Sequence, residues 1–130
     1  MGTDQNQDAS AGGTPEGYKP GEELISIEDF QRVKLRVAEV VDASLHPNAN
    51  KLVVLRVKVG ERTKQLVAGI RKDYRPEDLV GKRIIVADNL QPARLRGVES
   101  QGMLLAATDG DRVVLLTTDR PDVTSGSEVS

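Results

Sequence analysis

An all-β fold, a small closed barrel of short strands, is what this sequence predicts, and three observations carry it. Between residues 33 and 68 apolar side chains recur at every second position, the spacing that lines one face of a strand. Clusters of turn-forming residues, His46-Pro47-Asn48-Ala49-Asn50, Gly60-Glu61 and Asp109-Gly110, interrupt that pattern at strand-length intervals. Between residues 33 and 117 only one segment, residues 74–81, has the composition of a helix.

Residues 1–23 come first, rich in Gly, Ser, Asp, Gln and Pro, and their few apolar residues show no period. Ordering them would cost about 1–2 kcal/mol per residue with little burial in return, so a disordered tail or linker is expected. The folded domain then covers 24–130. Ser26-Ile27-Glu28-Asp29 places a hydroxyl three residues before a carboxylate, a helix start with Ile27 and Phe30 as apolar anchors. Phe30, the one phenylalanine, is expected in the core.

Val33, Leu35, Val37, Val41, Ala43 and Leu45 share one parity and predict a long, curved first strand. A second strand spans 52–59, with Val53, Leu55, Val57 and Val59 on one face and Arg56 and Lys58 on the other. Glycine at the first central position of Gly60-Glu61 suits a two-residue hairpin, and the third strand runs over 62–68. Pro76 near the start and Gly81 past the end bound the short helix. A fourth strand covers 83–88, a fifth 103–108 and a sixth 112–117. A strand meander, one helix, then further strands is the topology of the oligonucleotide/oligosaccharide-binding (OB) fold, a five-stranded barrel, here with a short amino-terminal helix and a carboxyl-terminal strand extension.

Composition narrows function further. With 130 residues and no cysteine, the chain makes one domain without disulfides or cysteine-held metal, as suits a reducing compartment. No apolar run approaches the roughly 20 residues of a membrane span, so a soluble, cytoplasmic protein without membrane contact is expected. The net charge of -2 is segregated: residues 1–29 carry -6, residues 30–110 carry +6 and residues 111–130 carry -2. A basic globular part favours a polyanionic partner, although the overall pI of 5.4 would by itself argue against one.

Catalytic chemistry has little to work with. His46 is the one histidine and sits in a turn, where it orders a loop more often than it moves a proton. Nothing resembles an activated nucleophile, a ligand cluster or a phosphate-cradling glycine loop, and no cofactor is implied. Glu77 and Asp78 are explained by a favourable position at a helix start.

Binding chemistry is better represented. Lys34 and Arg36, Arg56 and Lys58, and Arg62 and Lys64 each recur at period two; if the three strands align, they form a cationic stripe, and otherwise an ordinary solvated face. Arg94 and Arg96 repeat the spacing and favour the stripe. These two lie in the stretch 89–103, which two apolar runs present as a loop. Pro92 removes a backbone donor there, Gly97 and Gly102 permit turns, and the arginines stay charged at any relevant pH. Three aromatic residues, Tyr18, Phe30 and Tyr74, are too few for a base-stacking platform. A folded RNA read through phosphates and 2′-hydroxyls fits better than an unstructured strand.

His46-Pro47-Asn48-Ala49-Asn50-Lys51-Leu52, Gly69-Ile70, Leu79-Val80-Gly81-Lys82, Asn89-Leu90-Gln91-Pro92, Leu95-Arg96-Gly97-Val98 and Ser100-Gln101-Gly102-Met103-Leu104-Leu105-Ala106 together resemble the tRNA-binding domain family. This is the OB-fold module appended to many methionyl-tRNA synthetases and also found as free-standing dimeric tRNA-binding proteins. The resemblance spans about residues 26–129 and departs at Asn50, where an aspartate is usual. It implies non-catalytic binding of folded tRNA in support of a methionyl-tRNA synthetase, fused or in trans. It also implies a homodimer through the carboxyl-terminal segment, and Ser100 and Met103 at the RNA surface.

Ser100 could bond a phosphate or 2′-hydroxyl, and Met103 could touch a sugar or base or be a buried strand residue. With the charge pattern, the candidate tRNA-binding set is Lys34, Arg36, His46, Lys51, Lys64, Asn89, Arg94, Arg96, Ser100 and Met103. A dimeric, chaperone-like branch that binds unfolded polypeptide is the alternative within the same family.

Overall fold

A computed structural model describes residues 13–130 of the chain, which divides between Arg32 and Val33 into two compact units. Of the expected tail, residues 1–12 lie outside the described residues, and 13–23 form exposed turns. In one of these, Tyr18 N–H donates to the Pro15 carbonyl at 3.2 Å. Helix α1, Ile27–Gln31, starts as its sequence predicts, Ser26 Oγ accepting from Asp29 N–H at 3.0 Å. Phe30 is 41% exposed, which corrects its expected core role. A helix of five residues has no second turn with which to build a buried stripe, and α1 buries none of its residues.

The second unit is a curled antiparallel sheet, and the all-β, OB-like expectation holds. Its strands are β1 (Leu35–Leu45), β2 (Val53–Val59), β3 (Arg62–Ala68), β4 (Arg83–Ala87) and β7 (Met103–Leu104), ordered β3-β2-β1-β4-β7. Helix α2, Pro76–Leu79, stands between β3 and β4 in the chain and contributes Leu79, fully buried. Two small ribbons are added, β5 (Ala93–Leu95) with β6 (Val98–Ser100) and β8 (Ala106–Asp109) with β9 (Arg112–Leu115), and β10 (Glu128–Val129) pairs with the start of β1. The fifth strand expected over 103–108 is therefore two strands. Leu105 N–H still bonds the Ile85 carbonyl of β4 at 2.9 Å, and from Ala106 onward the pairing passes to β9.

Leu55, Leu66, Leu79, Ile84, Val53 and Val57 fill the interior, as the period-two reading of β2 requires. For β1 the parity differs from expectation. Ala38 and Val40 are the fully buried pair, and the register with β2 slips between Val40 and Asp42, leaving Val41 as an extra, exposed residue. This bulge lets residues of even number face inward before it and Ala43 pack on the core after it. Val37 is buried as well, on the opposite face, where its N–H donates to the Ser127 carbonyl at 2.9 Å and its carbonyl accepts from Gly126 N–H at 2.7 Å.

The carboxyl-terminal segment is thus fastened across β1. It is also fastened to the β2–β3 turn: Gly60 N–H donates to Ser125 Oγ at 3.0 Å, and that hydroxyl donates to the Lys58 carbonyl at 2.7 Å. A side chain at Gly126 would place its Cβ 2.8 Å from Gly60 Cα, and the residue has φ +93°. Gly126→Ala should therefore destabilise the domain by roughly 1–3 kcal/mol, read as a lower urea midpoint. An unshifted midpoint would show that this segment does not contribute to stability.

Candidate nucleic-acid interface

The stretch 89–103 owes its position to the edge of β3. Gln65 N–H donates to Gln101 Oε1 at 2.8 Å, Gln101 N–H donates to the Gln65 carbonyl at 2.7 Å, and Val67 N–H donates to Ser100 Oγ at 3.0 Å. Ser100 Oγ in turn donates to the Gly102 carbonyl at 2.9 Å, and the residue is only 4% exposed. This corrects the expected role of Ser100: its hydroxyl is used to close the barrel and is not presented to a ligand. Gly102 permits the close approach, since a Cβ there would lie 2.9 Å from the Ala87 carbonyl oxygen. Met103, paired with Ala87, is 54% exposed, so it is not a buried strand residue.

From this anchor the β5–β6 ribbon runs beyond β3 to a tip at Arg96-Gly97. Both have positive φ, +53° and +90°, as a two-residue hairpin between paired Leu95 and Val98 demands. His46 holds the tip in place. Its Nδ1 accepts from Asn48 N–H at 2.9 Å, so Nε2 carries the proton and donates to the Leu95 carbonyl, also at 2.9 Å. With 6% exposure, His46, placed among the candidates from sequence, is buried and braces the ribbon tip against the turn. The turn after β1 and the ribbon tip then flank an open groove of about 510 Å³ lined by Asn48, Ala49, Asn50, Lys51, Leu52 and Arg96. Arg71 reaches its rim, Nη1 donating to the Asn50 carbonyl at 3.4 Å, a cation that sequence reasoning missed. Arg94 is exposed on the ribbon, Nη2 donating to the Gly97 carbonyl at 3.2 Å.

A second group of cations gathers at the other end of β3. Lys64 and Arg62 pair with Val57 and Val59, and Arg36 pairs with Val86, so all three take the inward parity of those core residues. They converge on Asp88, which is buried. Arg62 Nη2 bonds Asp88 Oδ2, and Arg36 Nε lies 3.5 Å from the same oxygen. Lys64 Nζ lies 2.7 Å from Oδ1 but directs its hydrogen bond to the Asp88 main-chain oxygen at 2.8 Å, leaving Oδ1 without an aligned donor.

The single stripe drawn from sequence is therefore corrected. Arg56 and Lys58 face outward, opposite Asp42 and Glu39 in register, while Arg36, Arg62 and Lys64 turn in at the barrel mouth. Asn89 and Lys34 border this mouth: Asn89 Oδ1 accepts from Lys34 N–H at 2.8 Å, which fastens the entry of β1 to the exit of β4. The cations among the ten candidates thus form two groups, Lys51, Arg94 and Arg96 at the ribbon and Lys34, Arg36 and Lys64 at the mouth. Strand β3, Arg62–Ala68, is about 20 Å long at strand rise.

The comparisons with known proteins bear on this arrangement. A family model described as "Putative tRNA binding domain" matches residues 35–128. The chain belongs to this tRNA-binding domain family. A methionine–tRNA ligase of Caldanaerobacter subterraneus subsp. tengcongensis is 52% identical over 108 residues, which are 83% of this chain and 17% of the ligase. The chain therefore spans about a sixth of the length of that curated relative. Among solved structures, a MetRS-related protein from Pyrococcus horikoshii superposes with TM-score 0.78 at 34% identity, covering 84% of this chain and 100% of that one. The chaperone CsaA from Bacillus anthracis gives 0.75 at 32%, covering 83% and 100%.

In this tRNA-binding domain no group of three or more His, Cys, Asp or Glu residues able to hold a metal occurs among the described residues. None of the described helices is long and apolar enough to cross a membrane.

The Asp88 cluster has a measurable signature. Burial alone would raise the carboxyl's pKa, but the Lys64 ammonium 2.7 Å from Oδ1 and the Arg62 guanidinium bonded to Oδ2 outweigh it and hold the pKa below the ordinary carboxylate value. A folded pKa below the unfolded value of about 3.9 means that the cluster's stabilisation is complete above that pH and is lost as pH falls through the folded pKa. Denaturant midpoints taken from neutral pH down to about pH 2 should therefore fall more steeply for the native chain than for Asp88→Asn. Parallel curves would remove Asp88 from the acid transition.

Proposed function

We propose that this chain is a non-catalytic tRNA-binding domain that recognises the folded shape of tRNA and supports a methionyl-tRNA synthetase, fused to it or acting in trans. The observation that carries the reading is the pairing of two cationic groups along β3, Lys51 with Arg96 at the ribbon tip and Arg36, Arg62 and Lys64 at the mouth. Exposed Met103, paired with Ala87, faces the outer side of the sheet, opposite to the inward parity of this second group. Phosphates supply most of the affinity in such a contact, and the sparse aromatic content disfavours base stacking. A second weak site on a synthetase raises the local tRNA concentration without new chemistry. Lys34, Asn89 and Arg94 extend the surface; Ser100 and His46 serve it by holding the loop.

Residues 1–23 act in this reading as the linker or tail, and the protein works in the cytoplasm. Val114 and Leu116, exposed in and just after β9, support self-association of the carboxyl-terminal part into a homodimer. The likeness to the chaperone CsaA favours a second reading, capture of unfolded polypeptide. A filter-binding titration with folded tRNA, the same tRNA unfolded, and a denatured protein separates the two. Preference for folded tRNA is expected, and preference for either of the others rejects the leading reading. Within that experiment Lys51→Ala and Arg96→Ala should each weaken binding of all tRNAs alike and lower the slope of log Kd against log salt by roughly 0.7–0.9. Unchanged slopes in both would place those charges outside the contact.

A further inference from the structure

An acidic side chain buried at the centre of a surface that binds a polyanion needs a reason. By charge count alone, Asp88 opposes binding: removing it would add one positive charge to the barrel mouth. Its geometry says something different. Arg36 comes from β1, Arg62 and Lys64 from β3, and Asp88 directly follows β4, so one carboxylate joins three elements by standing within ion-pair distance of three cations.

Those cations are not consumed by the contact. The Arg62 side chain is 55% exposed and offers its remaining N–H groups outward. Arg36 is partly exposed; its Nη1 donates to the Gly126 carbonyl at 3.0 Å and its Nη2 lies 3.8 Å from the peripheral Glu128. Long basic side chains lose considerable rotamer freedom on binding a phosphate. A carboxylate that already fixes them removes that cost, leaving three positive charges around one buried negative charge, with Glu128 at the edge against Arg36.

We propose that Asp88 is a positioning residue that assembles Arg36, Arg62 and Lys64 into a preorganised site for one backbone phosphate of the bound RNA. The inference rests on the tRNA-binding reading given above. Asp88 itself touches no ligand; it sets the direction of the guanidinium groups that do.

The test opposes organisation to charge. Folded tRNA is titrated at neutral pH over a salt series against the native chain, Asp88→Asn and Arg62→Lys, with thermal unfolding of each recorded alongside. Positioning predicts that Asp88→Asn, although one unit more positive, binds roughly fivefold more weakly, with a salt slope shallower by about 0.7–0.9. It predicts a similar loss for Arg62→Lys, which keeps the charge but not the planar fork. Binding by Asp88→Asn as tight as the native chain's, or tighter, overturns the proposal. Should Asp88→Asn not fold, Arg62→Lys decides alone, since Arg62 lies at the surface, and native affinity and slope there overturn it equally. Failure of the native chain to prefer folded tRNA would instead reject the function, and it is read in the same titration before either variant is considered.

Discussion

A sheet that curls on itself must satisfy the backbone of its last edge, and in this domain that requirement falls on β3. The donors at Gln65 and Val67 face the side where a closing strand would lie, yet β7 is two residues long and pairs with β4. Side chains complete the closure: Gln101 Oε1 takes one donor and Ser100 Oγ the other. An unmet buried N–H would cost about 1–3 kcal/mol, so the residues preceding β7 are pinned rather than free to vary. Pinning them constrains their neighbours in turn. Gly102 must be small to pass the Ala87 carbonyl, Met103 emerges outward, and the ribbon is aimed at the turn that carries Lys51.

The two cationic groups are held by different physics. At the ribbon tip the support is neutral hydrogen bonding through one imidazole, whose two nitrogens bridge the turn and the ribbon. At the mouth it is an ion cluster. Desolvating a carboxylate is costly, and a lone pairing often only offsets it; three cations, each partly open to water, shift the balance. The lowered pKa of Asp88 expresses the same point, because attraction from the surrounding charges exceeds the burial penalty. The lining of the groove holds Lys51 and Arg96 and no acidic side chain, and at the mouth the cations outnumber the carboxylates, three against Asp88 and Glu128.

The strand meander, the hairpin at Gly60-Glu61, the interposed helix and the barrel class were legible because each rests on a local rule: period two, a glycine where φ is positive, a proline at a first helical turn. What escaped depends on partners distant in sequence. The bulge at Val41 inverts the parity of β1, and nothing in Val40-Val41-Asp42 distinguishes a bulge from regular strand. Once the parity is inverted, Arg36 changes from an outward cation to an inward one, and it joins Arg62 and Lys64, which turn in because they pair with Val59 and Val57. Ser100 was legible as important through a motif, but its partners Val67 and Gly102 lie on β3 and in the chain's own next turn, so its role was assigned to the wrong side of the surface. Asp88 left a weaker signal. An acid directly following an apolar strand, in a region with an excess of arginine and lysine, could have been asked what neutralises it.

Separation adds a last constraint on the partner this surface suits. The groups lie toward opposite ends of β3, whose seven residues rise about 20 Å, and a strand does not change its length. A flexible polynucleotide can meet any two cationic sites by ordering the chain between them, at an entropic cost that a rigid spacing does nothing to reduce. A compact folded RNA presents phosphates from different parts of its chain at separations already set by its own fold, and rigid sites then act together without that cost. Extended polypeptide gains still less, because both groups carry the same sign of charge. The fixed spacing thus favours a partner that is both anionic and already shaped.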